Sequence, residues 1–244
     1  MLMVFLFYLC LVAIPYIPHK KVSEEYKEQF DTADYYSEKP GTERISYVDD
    51  NTEALIYRLK MIEEAKEEII LSTFDFNADT GGKDVMAALL HAADRGVRVR
   101  VIVDGISGFL DMRGNPYFQA LALHENITLK IYNPVNLLKP WKLQARLHDK
   151  YVIVDNSMYL LGGRNTTDLF LGDYSEHQNM DRELFVYETD PEAENTSLSQ
   201  LLSYFEEVWA LPDSREYTCK KNTEKVRNCF AELEARYQEL KALY

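Results

Sequence analysis

His148 and Lys150 stand two residues apart inside residues 147–172, which read LHDKYVIVDNSMYLLGGRNTTDLFLG. On an extended strand, residues two apart project to the same face. An imidazole beside an ammonium is poor core material, but the pair suits a bound anion, because lysine meets phosphate as a point charge. Val152 and Val154 continue that face inward. Asp155 has the opposite parity, so it reads as a residue that fixes a turn or supports the site from behind. Farther on, Gly162-Gly163-Arg164-Asn165-Thr166 ends the next strand. Its two glycines let backbone approach a ligand or a neighbouring strand closely. Asn165 supplies a neutral amide donor. Thr166 can cap a following helix, whose N-terminus favours anions. Arg164 reads as turned away into a salt bridge. One face thus gathers His148, Lys150, Asn165 and backbone around Gly163 about a phosphate-sized site.

These residues need a scaffold, and the flanking pattern supplies one. Asn51 can cap a helix over 52–67, in which Leu55, Leu59 and Ile62 recur at helical spacing. Residues 68–76 (EIILSTFDF) read as a buried strand. A helix over 83–95 follows, through Val85, Leu89 and Ala92, and Gly96 stops it. Residues 97–103 (VRVRVIV) are strongly β-branched and end at Asp104-Gly105. Next come a helix over 115–125 and a strand over 127–132. Strands over 150–154 and 158–161 flank a turn at Asp155-Asn156-Ser157. A strand over 181–188 and a helix over 196–210 complete the series. Such alternation predicts a layered α/β fold with a mixed, partly parallel sheet flanked by helices. Residues 223–244 form an amphipathic helix whose Val226, Phe230, Leu233, Tyr237 and Leu240 must cover the core or meet another surface.

With 40 acidic against 27 basic residues, a net charge of −13, the overall field opposes a polyanion, and no nucleic-acid partner is expected. Cys10, Cys219 and Cys229 are too few for a disulfide framework and read as free thiols. Residues 1–18 (MLMVFLFYLCLVAIPYIP) carry no charged side chain and predict a hydrophobic membrane anchor or a signal-like segment. His19, Lys20 and Lys21 behind it would favour the inner side, although Glu24 and Glu25 weaken that orientation. Residues 19–44 read as an acidic linker. Residues 136–146 (NLLKPWKLQAR) mix Lys139, Lys142 and Arg146 with Leu137, Leu138, Trp141 and Leu143, a composition that suits anionic headgroups.

The spacing His148-x-Lys150, then Asp155, then Gly162-Gly163-x-Asn165 resembles the HKD motif of the phospholipase D superfamily. Residues 88–105 (ALLHAADRGVRVRVIVDG), Asn133-Pro134 and the GGRNTTDLFLG stretch are similar to the bacterial cardiolipin synthase branch. The resemblance covers residues 45–210 and leaves 211–244 as a C-terminal helix. It implies a phospholipase D-like fold and a phosphohistidine intermediate, with His148 as nucleophile or general acid/base. Lys150, Asn165 and Gly163 would bind the phosphate, with Asp155 in the motif. Asp181, in NMDRELFVY, resembles the acid that orients the histidine. Neither metal nor cofactor is implied, since lysine and asparagine stabilise the phosphoryl charge.

Two such motifs meet at one active site in that family. Here His19, His91, His124 and His177 do not begin a second His-x-Lys. The resemblance therefore implies a homodimer or a second motif-bearing half, with this chain matching the N-terminal half of a cardiolipin synthase-like protein. The expected function is a membrane-associated phosphodiesterase or phosphatidyltransferase acting on phospholipids. The alternatives are a nuclease of the same superfamily and a non-catalytic membrane-associated binding module.

Overall fold

A computed structural model describes residues 1–17, 21–36 and 38–242, side chains at 34 and 35 excepted. The chain forms two units, one of Met1–Thr42 with Asn136–Ala145, the other of Glu43–Val135 with Arg146–Tyr244.

In the first unit, α1 (Leu2–Ala13) is followed by a 3₁₀ turn over Ile14–Tyr16 and packs against a second such turn at Pro140–Lys142. A short α2 (Glu24–Gln29), capped by Ser23, forms in the stretch read as linker. The expected membrane anchor is not supported. Among the described residues no helix is long and apolar enough to cross a membrane. The 12 residues of α1 make about 18 Å of helix against a hydrocarbon core of about 30 Å, and Pro15 opens the tighter turn that follows. The orientation reading on His19 and Lys20 lies outside the described residues.

The second unit is built on an eight-stranded sheet. In chain order its elements are β1 (Glu43–Val48), α3 (Asn51–Glu64), β2 (Glu68–Thr73), α4 (Thr80–Asp94), β3 (Arg98–Asp104), α5 (Gly105–Ser107), α6 (Pro116–Leu121), β4 (Ile127–Tyr132), β5 (Tyr151–Val154), β6 (Met158–Gly162), β7 (Glu183–Glu188), α7 (Ser197–Ala210), β8 (Ser214–Glu216) and α8 (Glu224–Lys241). The strand order is β1-β7-β6-β5-β2-β3-β4-β8. β2, β3 and β4 run parallel, and every other neighbouring pair is antiparallel. This is the mixed, partly parallel α/β sheet that the alternation of elements predicts.

Strand periodicity divides the core in two. Ile69, Leu71, Val99, Val101, Val103, Val152 and Val154 face the larger cluster with α3, α4 and α8. Ile70, Ile102, Tyr151, Ile153, Tyr159 and Val186 face Leu198, Phe205 and Val208 of α7. Arg100 secures that second layer. It pairs with Glu68 of its neighbouring strand and Glu206 of α7, and its guanidinium lies 4.7 Å from the Phe205 ring centre.

Two local expectations are corrected, and one left open is decided. Asp50, not Asn51, caps α3 by accepting from Thr52 and Glu53, and Asn51 is the first helical residue, with its side chain buried. No helix follows Thr166; residues 167–171 form a turn in which the Thr167 carbonyl accepts from Phe170 and Leu171. Of the two destinations open to the apolar face of α8, it takes the core. Val226, Leu233, Tyr237 and Leu240 are buried, and the helix packs on α4 and α6.

Candidate active site

His148 and Lys150 lie on the extended stretch leading into β5, a central strand between β2 and β6. Asp104, at the end of β3, fixes that stretch. Its fully buried carboxylate accepts from the Leu147 amide at 2.8 Å and pairs with Arg146 at 3.2 Å. His148 is exposed, whereas Lys150 is only 6% exposed. The Lys150 ammonium sits 2.9 Å from His148 Nδ1, 3.1 Å from Nε2 and 2.9 Å from the His148 carbonyl oxygen. A neutral imidazole offers one ring lone pair, so one of the two ring contacts is the hydrogen bond for a given tautomer. Burial lowers the Lys150 pKa from its ordinary value, while the Asp181 and Asp149 carboxylates push it back up. The Phe74 ring packs on His148 with centroids 5.1 Å apart and a 57° tilt.

The second part of the site comes from the end of β6. A Cβ on Gly162 would stand 2.2 Å from the Arg182 carbonyl oxygen, and one on Gly163 would stand 2.1 Å from Asp181 Oδ2. Glycine is therefore required for the Asp181 carboxylate to lie against this backbone. Asp181 also accepts from the Arg182 amide at 2.7 Å. Among the described residues no hydrogen bond joins it to His148; its charge reaches Lys150 instead. Asn165 Oδ1 accepts from the Asp75 amide at 3.2 Å, which leaves its Nδ2 donor without a hydrogen bond in the described structure. Arg164 points inward and is buried. It donates to Asn51 Oδ1 at 2.9 Å and to the Val48 and Asp49 carbonyls, and it lies 3.6 Å from Glu183, which also pairs with Arg58. This buried cluster ties the glycine-rich segment to α3 and β1.

The structure brings His148, Lys150, Gly163, Asn165 and Asp181 into one neighbourhood and leaves Asp155 apart. Asp155 is at the other end of β5, five residues beyond Lys150 or about 17 Å away along the strand. It adopts φ +49° and accepts from the amides of Lys66, Glu67 and Glu68, which pins the β2 entry to the β5–β6 turn. The other described histidines serve elsewhere. His91 stacks on Tyr237 at 3.7 Å, and His124 pairs with Asp94. His177 is exposed in a turn with Ser175.

Phe74, Asp75 and the Asp104 clamp are missing from the sequence reading. The pattern of 68–76 reads as unbroken strand, which hides that β2 ends at Thr73 and that Phe74 and Asp75 turn across the site. A cavity of about 520 Å³ between α3, α4 and α8 is lined by Leu59, Ala88, Tyr237 and Leu240 and holds none of the site residues. His148 instead lies on an open surface.

A family described as "Cardiolipin synthase, PLD-like domain" matches residues 59–209. The chain belongs to the phospholipase D-like family. An uncharacterised protein of Helicobacter pylori (strain 26695) is 31% identical over 150 residues, 56% of this chain and 29% of that protein. Cardiolipin synthase C of Escherichia coli K12 is 30% identical over 147 residues, 56% of this chain and 30% of that enzyme. This phospholipase D-like chain thus spans under a third of the length of both relatives. The solved structure of Nuc, a phospholipase D family member from Salmonella typhimurium, superposes with a TM-score of 0.52 at 22% identity, covering 72% of this chain and 98% of that one. At that identity the likeness establishes the fold. The family is one of phosphodiesterases, and the relatives place this domain beside the cardiolipin synthases.

Proposed function

We propose that this phospholipase D-like domain is one half of a site that cleaves or transfers a phospholipid phosphodiester. The observation that carries the reading is the buried Lys150 ammonium 2.9 Å from an exposed imidazole, with the Asn165 amide donor on the neighbouring segment. An entering phosphate oxygen takes the Lys150 and Asn165 donors and frees a ring nitrogen of His148. That nitrogen then attacks phosphorus, and the P–O bond to the leaving alcohol breaks. The product is a phosphohistidine, which water or a second alcohol resolves with loss of the P–N bond. The lysine and amide donors stabilise charge that grows on the phosphoryl oxygens. In-line displacement sets nucleophile and leaving group on opposite sides of phosphorus, so a second histidine-bearing half, from a second copy or another polypeptide, protonates the leaving oxygen. The exposed His148 side chain is accessible to that half.

The reading is tested by mass spectrometry of the chain after acid-free quenching from phosphatidylglycerol vesicles, with the partner half present. A phosphatidyl adduct on His148, or loss of the adduct from the partner's histidine in His148→Ala, supports it. Turnover of a single-stranded oligonucleotide in place of lipid would instead favour the nuclease reading, against which the net charge of −13 counts.

A further inference from the structure

Residues 105–112, reading GISGFLDM, form a continuous run of helical turns at the end of β3. The segment is firmly seated. Ser107, Gly108 and Met112 are buried, and a Cβ on Gly108 would stand 2.7 Å from the Ile131 side chain. Yet three apolar side chains project from it: Ile106 is 37%, Phe109 46% and Leu110 68% exposed. A packed segment that holds neighbouring apolar groups in water marks a contact surface.

Its anchors point to the active site. At one end, the Asp104 carboxylate accepts from Ile106 at 2.7 Å and from Leu147, the residue before His148, at 2.8 Å. At the other, Ser107 Oγ accepts from the Phe76 amide at 3.1 Å, two residues beyond the Phe74 ring that packs on His148. Ser107 and Asp111 also bear on the Asp75 carboxyl, whose proton affinity burial and the Asp111 charge raise, and the Asp75 backbone amide donates to Asn165 Oδ1. The apolar lip is thus fixed to the segments on both sides of His148.

We propose that Ile106, Phe109 and Leu110 form the rest for an acyl chain of a lipid phosphodiester held at His148 and Lys150. The inference builds on the phosphodiester reading above and names what part of the substrate the lip takes. A polyanion gains nothing from three apolar side chains and is repelled by Asp75 and Asp111, whereas an acyl chain buries against them. The Arg113 guanidinium, 5.6 Å from the Phe109 ring centre, keeps that ring in place from outside.

The test compares dihexanoyl-phosphatidylglycerol, as a soluble monomer, with its deacylated form, glycerophosphoglycerol, by NMR titration of the full chain. The wild type binds the acylated probe at least about tenfold more tightly. Phe109→Ser/Leu110→Ser cuts that ratio to about twofold or less and leaves affinity for the deacylated probe unchanged, while Phe109→Leu retains the ratio. Equal affinities in the wild type, no detectable binding of the acylated probe, or an undiminished ratio in the double variant overturns the inference. So does a shift of the double variant from dimer to monomer with the ratio intact, which assigns the lip to a subunit contact. Acyl preference without any turnover in a species that holds two motifs would preserve this inference and sink the activity, whereas turnover without acyl preference would do the reverse.

Discussion

In the proposed reaction His148 and Lys150 carry the chemistry, and their contacts divide the work between them. His148→Ala removes the attacking or protonating nitrogen. Lys150→Ala leaves phosphoryl charge uncompensated and lowers turnover by about 10²–10³-fold. Both variants keep the wild-type circular dichroism spectrum, because neither side chain belongs to either hydrophobic cluster. Gly163→Ala probes the support of the site. Its new methyl group meets Asp181 Oδ2 and displaces a carboxylate that bears on Lys150. A misplacement on the order of 1 Å costs about 10²-fold in rate, read in phospholipid turnover with the melting temperature as the structural control. The His-x-Lys and Gly-Gly-x-Asn residues were legible in the sequence because their types and spacing are themselves the signal. The Asp104 clamp was not, since an aspartate at a strand end reads as turn chemistry until β5 is placed beside β2.

At the scale of elements, α4 links the two loops that flank the site. Asp79 caps it by accepting from Gly82 at 2.9 Å and also accepts from the Asp168 amide at 2.8 Å, while Asp168 accepts from Gly81 at 2.5 Å. Burial pushes the Asp79 carboxyl from 3.8 up to about 6, and the neighbouring Asp168 charge adds to the effect. The folded protein therefore holds this proton more tightly than the unfolded chain does. The resulting stability is fully present below pH about 3.8 and is lost as pH rises through about 6. Asp79→Asn keeps a capping oxygen, so melting temperatures measured between pH 4 and 7 lose that downward slope. At the other end of the domain, Leu233→Ala empties a fully buried position of α8 and costs about 2–5 kcal/mol in urea unfolding. The long helices and inner strands were readable because their apolar periodicity is strong. β1 and β8 were not. β1 exposes Ile45 and Tyr47, and β8 has three residues, so both are held by ladder pairing with β7 and β4 rather than by a pattern of their own.

For the whole molecule, sequence periodicity found the amphipathic α8 but not its destination. Only the three-dimensional packing on α4 and α6 shows that its apolar face is used within the domain. At the N-terminus, apolar composition is visible in a string of residues, but among the described residues no helix is long and apolar enough to cross a membrane, and Pro15 lies in the tighter turn that follows α1. What remains on the surface is the exposed His148 beside the buried Lys150, in the proposed reaction half of what in-line phosphoryl transfer needs. The central claim is that this half acts only when a second motif faces it. Light scattering coupled to size exclusion, followed by a phosphatidylglycerol turnover assay on each separated species, addresses it directly. The account predicts turnover only in a species that holds two motifs, as a dimer or with a partner half, and its loss when His148→Ala is introduced. Turnover by a verified monomer, or undiminished turnover by His148→Ala in every species, would contradict it.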